Sequence, residues 1–368
     1  MFAQKLYRRI LFVCTTSRLV VYFLIGLGHR SGMRISVYFR ESLKLVRYYW
    51  NQRGNDRIYA LIREFFLSDL SLCSDDLLLD ENPTSPVVVV VVKDEIERMK
   101  LFFEYYRALG VRQFIVIDNN SSDGTREFVS AQKDTRVYLI TDMFQTQKKV
   151  AWIEKVLALT GYDRWYVVVD SDELLDYVGS ESHSLEELID YHSENGDYLQ
   201  GYLVDMYSDK PIFSVSCSYK EIPHICNLFD KDSYYIGDRH VLGGARNRVF
   251  GLNNLLTKQS VFLFKPDFLY CHPHYLYSGN TRIHDEFCYV LRHYKFLKKD
   301  RLSYEKRVEE RSFHNNSIEY KIIMDQLKPS CDVSFEYAGS AKYDNSKSLR
   351  VLPFLTWTAW DSQKKTVV

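Results

Sequence analysis

Six consecutive valines, Val87–Val92, form the plainest apolar feature of the chain. A run this short, β-branched throughout and without alternation, predicts a strand covered on both faces. Ile96, Met99, Phe103, Tyr106 and Leu109 follow at helical spacing, with Asp94 and Glu97 placed as a capping box and Gly110 as the stop. A second apolar run, 114–117, ends on Asp118, and the polar turn NNSSDGT (119–125) leads toward a short helix that Ser122 or Asp123 can cap. A third run covers 137–140. Val150, Ile153, Val156 and Leu157 mark another helix closed by Gly161, and WYVVV (165–169) gives a fourth strand. Strand and helix thus alternate over ~85 residues, which predicts an α/β fold built on a mostly parallel, doubly wound sheet. Right-handed crossovers in such a sheet bring the strands' carboxyl ends to one edge, where ligands bind. Lys93, Asp118 and Asp170 occupy three of these ends and are expected to line one crevice.

The fourth strand stops on acid. Asp170, Ser171, Asp172 and Glu173 put three carboxylates within four residues, and groups this close repel unless a cation lies between them. A divalent metal is the natural partner, with an acidic surface turn as the plain alternative.

After Val178 the pattern loosens. Ser184 and Glu187 cap a short helix holding Leu185, Leu188 and Ile189; Tyr198–Asp205 reads as a strand ending on acid, and 261–264 as another. Gly243 and Gly244 precede Arg246 and Arg248, so backbone amides and two guanidinium groups can hold a diphosphate; an ordinary turn with exposed charge fits equally. His284, Asp285 and Glu286 are expected to open a long helix through Phe296. From Pro329 the chain reads as polar loop.

Composition adds size and compartment. With 368 residues, 46% of them apolar, a large core is within reach. Seven cysteines, scattered and without C-x-x-C, read as reduced thiols of a cytosolic protein, with neither a disulfide framework nor a zinc site. The zero net charge hides an asymmetry. Residues 1–63 carry twelve Lys or Arg against Glu41 and Asp56, a local charge of +10, so the remainder carries −10. The apolar stretch 10–27 is broken by Thr15, Thr16, Ser17 and Arg18, leaving a clean run well short of the ~20 residues a membrane span needs. No cleavage site follows it, so a secretory signal is not expected either. Interleaved basic and aromatic residues through Trp50 instead suit helices lying peripherally on the cytoplasmic face of a membrane, or a helical cap packed on the main domain. No zinc-finger, RRM or KH signature accompanies the basic region, so nucleic acid is not expected as a partner.

Lys93 to Glu95 (KDE), Val116 to Thr125 (VIDNNSSDGT) and Val168 to Glu173 (VVDSDE) together resemble the glycosyltransferases of family 2 and their relatives with the GT-A fold, over roughly residues 86–178. The resemblance implies a Rossmann-like twisted sheet with helices on both faces, preceded by the basic helical region 1–80. It divides 86–330 into a nucleotide-binding half (86–178) and an acceptor half (179–330), with 331–368 as a tail. Asp118 then contacts the nucleobase, commonly uracil; an Asx-turn residue is the plain alternative. Asp170 and Asp172 hold Mn2+ or Mg2+ bridging the donor's phosphates, and Glu173 is a less certain third acid. Resting on H-P-H alone, the likeness also makes His272 and His274 late metal ligands; packing under the loop and solvation account for them as well. Nucleotide contacts would be Lys93, Asp118 and Asp170, joined by Arg246 and Arg248 if their turn takes the diphosphate. Inverting members need a carboxylate to deprotonate the acceptor, for which Asp285 and Glu286 compete with Asp205, although helix capping explains acids at 285–286 too. The implied function is metal-dependent transfer of a sugar from a nucleotide donor, commonly a UDP-sugar, to a lipid-linked or surface-polysaccharide acceptor, with inversion. The alternatives are a non-catalytic, membrane-associated nucleotide binder and a dehalogenase-type phosphatase, whose D-x-D usually sits on the first core strand, whereas three strands come earlier here.

Overall fold

A computed structural model describes residues 35–51, 56–73, 82–194, 196–238, 240–278, 286–310, 314–327 and 332–356. The apolar stretch 10–27, His284 and Asp285 lie outside the described residues.

Nine strands form the central sheet: β1 (Ser71–Leu72), β2 (Val87–Val92), β3 (Gln113–Asp118), β4 (Thr135–Leu139), β5 (Arg164–Val168), β6 (Glu173–Asp176), β7 (Tyr198–Asp205), β8 (Thr257–Phe264) and β9 (Phe287–His293). Their spatial order is β1-β4-β3-β2-β5-β8-β7-β9-β6. Strands β4, β3, β2 and β5 run parallel, β8 lies antiparallel between β5 and β7, and β9 is parallel to β7. This is the mostly parallel α/β arrangement that the alternating pattern predicts, and it is consistent with the GT-A fold.

The valine run shows why the sheet is covered on both sides. Successive strand residues point to opposite faces, so Val88, Val90 and Val92 enter one core and Val87 and Val89 the other. Helix α3 (Ile96–Ala108) covers the first face with Met99, Phe102, Phe103 and Tyr106, while α5 (Thr146–Thr160) covers the second with Trp152, Ile153 and Val156. The basic helices α1 (Ile35–Asn51) and α2 (Asp56–Leu67) pack on that second face through Tyr38, Leu45, Ile62, Phe65 and Phe66. Lys44 of α1 sits between Glu41 at 2.6 Å and Glu154 of α5 at 2.5 Å, all three nearly closed to solvent. No helix among the described residues is long and apolar enough to cross a membrane. Helices α4 (Thr125–Ser130), α6 (Leu185–Ser193) and α7 (Gly244–Phe250) are short; α8 (Asp300–Glu310) and α9 (His314–Gln326) form a further layer around Phe296, Tyr304, Tyr320 and Phe335. Leu349, Leu352 and Leu355, near the end of the described chain, are buried in the first core.

Two local expectations change. Residues 287–293 form strand β9, not a helix: FCYVLRH is buried on both faces, so its apolar run carries no period to separate strand from helix. Asp94 does not cap α3, because its backbone is left-handed (φ 54°) and its carboxylate accepts the Ser122 amide at 2.7 Å. Asp123 caps α3 instead, accepting the Ile96 amide at 3.1 Å. The Ser184 to Glu187 capping box forms as expected on α6.

Candidate active site

Every strand that runs parallel to β2 ends at one edge. Lys93 follows β2, Asp118 closes β3, Asp170 follows β5, Asp205 closes β7 and His293 closes β9. The turn 170–172 carries the chain across this edge to β6, held by the Tyr294 amide donating to the Asp172 carbonyl at 2.9 Å. A cleft of ≈ 540 Å3 opens there, within the size range of small-molecule sites. Lys93, Glu95, Asp170, Asp172 and His293 line it on the sheet side, and α8 forms the opposite wall.

The two loops carrying KDE and NNSSDGT are locked together. Ser121 Oγ accepts the Asp94 amide at 3.0 Å and Thr125 Oγ1 accepts the Glu95 amide at 2.9 Å. Asp118, expected to line the crevice, does not: it is fully buried and serves the same loop, accepting the Ser121 amide at 3.1 Å and pairing with Arg126 Nε at 3.0 Å.

The crowded carboxylates are neutralised from within the chain. Lys149 of α5 pairs with Asp170; Lys258 of β8 pairs with Glu173 at 2.5 Å, both side chains buried; His293 Nε2 lies 3.5 Å from Asp172. Burial opposes ionisation of Asp170, yet Lys149 and Lys258 hold its pKa well below the usual carboxylate range. Asp172 is held low in the same way, burial being overcome by His293. For His293 burial favours the neutral ring, but Asp172 and Asp205 outweigh it and raise the pKa to about 9, so the ring is an imidazolium at neutral pH. Behind it runs a chain of alternating charge: His293 Nδ1 to Asp205 at 2.8 Å, Asp205 to Arg246 Nε at 2.8 Å, Arg246 Nη1 to Glu319 at 2.8 Å.

The side chains of Asp170 and Asp172 remain 39% and 20% exposed. As ionised oxygen donors they suit Mg2+ or Mn2+ in kind, ions that commonly take one or two protein carboxylates and complete their shell with phosphate and water. Among the described residues no group of three or more His, Cys, Asp or Glu is arranged as a metal cage.

The remaining residues singled out by sequence lie elsewhere. His272 accepts the His274 amide on Nδ1 at 3.1 Å and stacks on Tyr275 at 4.1 Å between ring centroids. His274 Nδ1 faces the Thr257 carbonyl at 3.0 Å, and burial together with Lys258 pushes its pKa down to about 3, so the ring is neutral and donates that bond. Neither lines the cleft. Arg246 is committed to Asp205 and Glu319; Arg248 grips buried Asp230 at 2.9 and 2.8 Å, away from the cleft. Asp205 is buried behind His293. Glu286 is exposed at the amino end of β9, so the strand's ~20 Å length separates it from the cleft edge, and Asp285 lies outside the described residues.

Two cleft residues escaped the sequence reading of roles. Glu95 was visible only as part of KDE; it pairs with Arg98 at 2.9 Å, and burial, opposed by Arg98, raises its pKa. Lys149, on the opening turns of α5, carried no signal at all, since nothing in TQKKV marks the lysine that reaches Asp170.

No family model matches the chain, and no curated protein matches it. Among solved structures, the crystal structure of S. aureus TarS residues 1–349 overlaps 66% of this chain and 70% of that one at 12% identity. The TM-score of 0.26 is too low for that overlap to bear on this chain's fold or chemistry.

Proposed function

We propose that the chain is a glycosyltransferase that moves a sugar from a nucleoside diphosphate donor to an acceptor hydroxyl in this cleft. The observation that carries the reading is the pair Asp170 and Asp172, ionised and open to the cleft beside Lys93 at the carboxyl edge of a doubly wound sheet, the edge at which nucleotides bind in such folds. The acceptor oxygen attacks the anomeric carbon, the bond from that carbon to the diphosphate oxygen breaks, and the nucleoside diphosphate leaves with the bonding electrons. Glu95, a cleft carboxylate with a raised pKa, is suited to take the acceptor's proton. Lys93, and Lys149 when released from Asp170, offer positive charge to the diphosphate. Mn2+ or Mg2+, held by Asp170 and Asp172, would neutralise charge developing on that leaving group. UDP-sugar is the proposed donor, a lipid-linked or surface-polysaccharide glycan the proposed acceptor, and inversion the stereochemistry. The +10 charge of residues 1–63 supports a place on the anionic cytoplasmic face of a membrane.

The test is a thermal-shift screen of nucleoside diphosphates with and without Mn2+. A ligand at a hundred times its dissociation constant adds about 2.7 kcal/mol of stability. Stabilisation by UDP that EDTA removes supports the metal-dependent reading. Stabilisation that survives EDTA favours direct binding by the lysines, and none from any nucleotide sinks the proposal.

A further inference from the structure

The cleft wall facing Asp170 and Asp172 carries charge that a donor at the sheet edge does not use. It is built by α8 and the residues entering it, with Lys299, Lys306 and Arg307 along it and Tyr304 at its base. Lys299 has no carboxylate at ion-pair distance among the described residues, because its neighbour Asp300 is taken by Arg98 at 2.6 Å. Burial first and the nearby Arg98 charge second lower the Lys299 pKa, against the opposing pull of Glu95, Asp300 and Glu97. Among the described residues Lys306 has exposed Glu310 at 3.7 Å as its one carboxylate neighbour at ion-pair distance.

A second observation is independent of charge. Tyr304 is 1% exposed, its ring packed against Phe213 and Tyr320, and its buried hydroxyl has no hydrogen-bond partner among the described residues. Buried hydroxyls are ordinarily partnered, and one that is not marks a place for water or a ligand oxygen. The same ring has Lys295 at 5.7 Å and Arg307 at 6.0 Å, with Glu319 3.5 Å from Lys295, so cations and one carboxylate surround it.

We propose that this wall is a phosphate subsite, formed by Lys299, Lys306 and the Tyr304 hydroxyl, and that the acceptor is therefore a phosphate-bearing molecule and not a neutral glycan. Calling the ligand the acceptor rests on the glycosyltransferase reading; the subsite itself does not. Leu302 at 73% exposure beside the lysines and Met143 at 75% across the mouth leave apolar surface next to the phosphate position. That surface admits a lipid phosphate as well as a sugar phosphate.

The experiment titrates the full-length chain with glucose 6-phosphate and with glucose, and separately with UDP and Mn2+. The phosphorylated sugar is expected to bind at least about tenfold tighter, the worth of one charged hydrogen bond. Lys299→Ala combined with Lys306→Ala should erase that preference and leave UDP binding unchanged. Tyr304→Phe should weaken the phosphosugar about tenfold while its melting temperature stays level or rises, since the variant sheds an unpartnered buried hydroxyl. A merely structural hydroxyl would give the reverse. Equal affinity for the two sugars overturns the proposal, as does a parallel loss of UDP in the double variant, which would assign the wall to the donor. If UDP fails to bind while the phosphosugar preference holds and the lysine variant abolishes it, the subsite stands and the transferase reading falls. Displacement of glucose 6-phosphate by phosphatidylcholine vesicles containing phosphatidic acid, but not by pure phosphatidylcholine, identifies the phosphate source as lipid; no displacement by either identifies a soluble one.

Discussion

Asp172 heads a line of charges that passes through His293, Asp205 and Arg246 to Glu319, and this arrangement makes it removable without wrecking the fold. In Asp172→Asn His293 Nδ1 keeps Asp205 at 2.8 Å, so stability should change by no more than about 1 kcal/mol while Mn2+-dependent stabilisation by UDP disappears. A variant that still shows the metal-dependent shift removes Asp172 from the site. Glu95→Gln keeps the shape and loses the proposed base, so kcat should fall by ~10² to 10⁴, while Arg98 keeps its pair with Asp300 at 2.6 Å and the fold is retained. The sign of its pH dependence follows from the raised pKa. The base acts only when ionised, so activity is lost as pH falls through a value above the ordinary 4.5, and the variant should lack that limb. Sequence made Asp170 and Asp172 legible because the two acids are neighbours and close a strand. It did not reveal their neutralisers, since Lys149, Lys258 and His293 arrive from three other elements and only the folded sheet brings them together. Side chains of the same chain thus already supply counter-charge to the crowded acids.

At the level of elements, close packing settles what periodicity leaves open. Strands β2 to β5 were readable because helices with clear spacing separate them, whereas β9 looked helical because both of its faces are covered. Its partner β7 supplies the test: a Cβ added at Gly201 would lie 2.1 Å from the Tyr289 ring, whose hydroxyl accepts from the Ser260 amide and donates to the Lys258 carbonyl, each at 2.8 Å. Gly201→Ala should thus cost about 1 to 3 kcal/mol in chemical denaturation, as overpacking does. The seat of α1 has its own pH signature. Burial, opposed by Lys44, lifts the Glu41 pKa from 4.5 to about 7. A carboxyl that titrates higher in the folded chain contributes stability that is complete below pH 4.5 and is lost as pH rises through about 7, up to about 3 kcal/mol. Glu41→Gln should flatten this dependence and melt higher than the parent at pH 8. A melting temperature that does not fall between pH 5 and pH 8 in the parent refutes the assignment.

Across the whole molecule, the two halves suggested by the motif-rich and motif-poor stretches share one sheet. β8, from the later half, lies hydrogen-bonded between β5 and β7, and the 170–172 turn ties β5 to the far strand β6. The motifs gave no hint of this interleaving, since strand order depends on long-range pairing that local pattern does not encode. Its consequence is mechanical. A groove between separate lobes can shut by hinging, but here both halves of the chain are rooted in one continuous ladder of hydrogen bonds, and swinging one half against the other would tear it. Water must then be expelled by small pieces: α8 and the 141–145 segment settling over the substrate. Small-angle scattering profiles with and without bound ligand should accordingly superimpose, while slowed amide exchange concentrates in those two segments. A shrinking radius of gyration would mean that the ladder gives way.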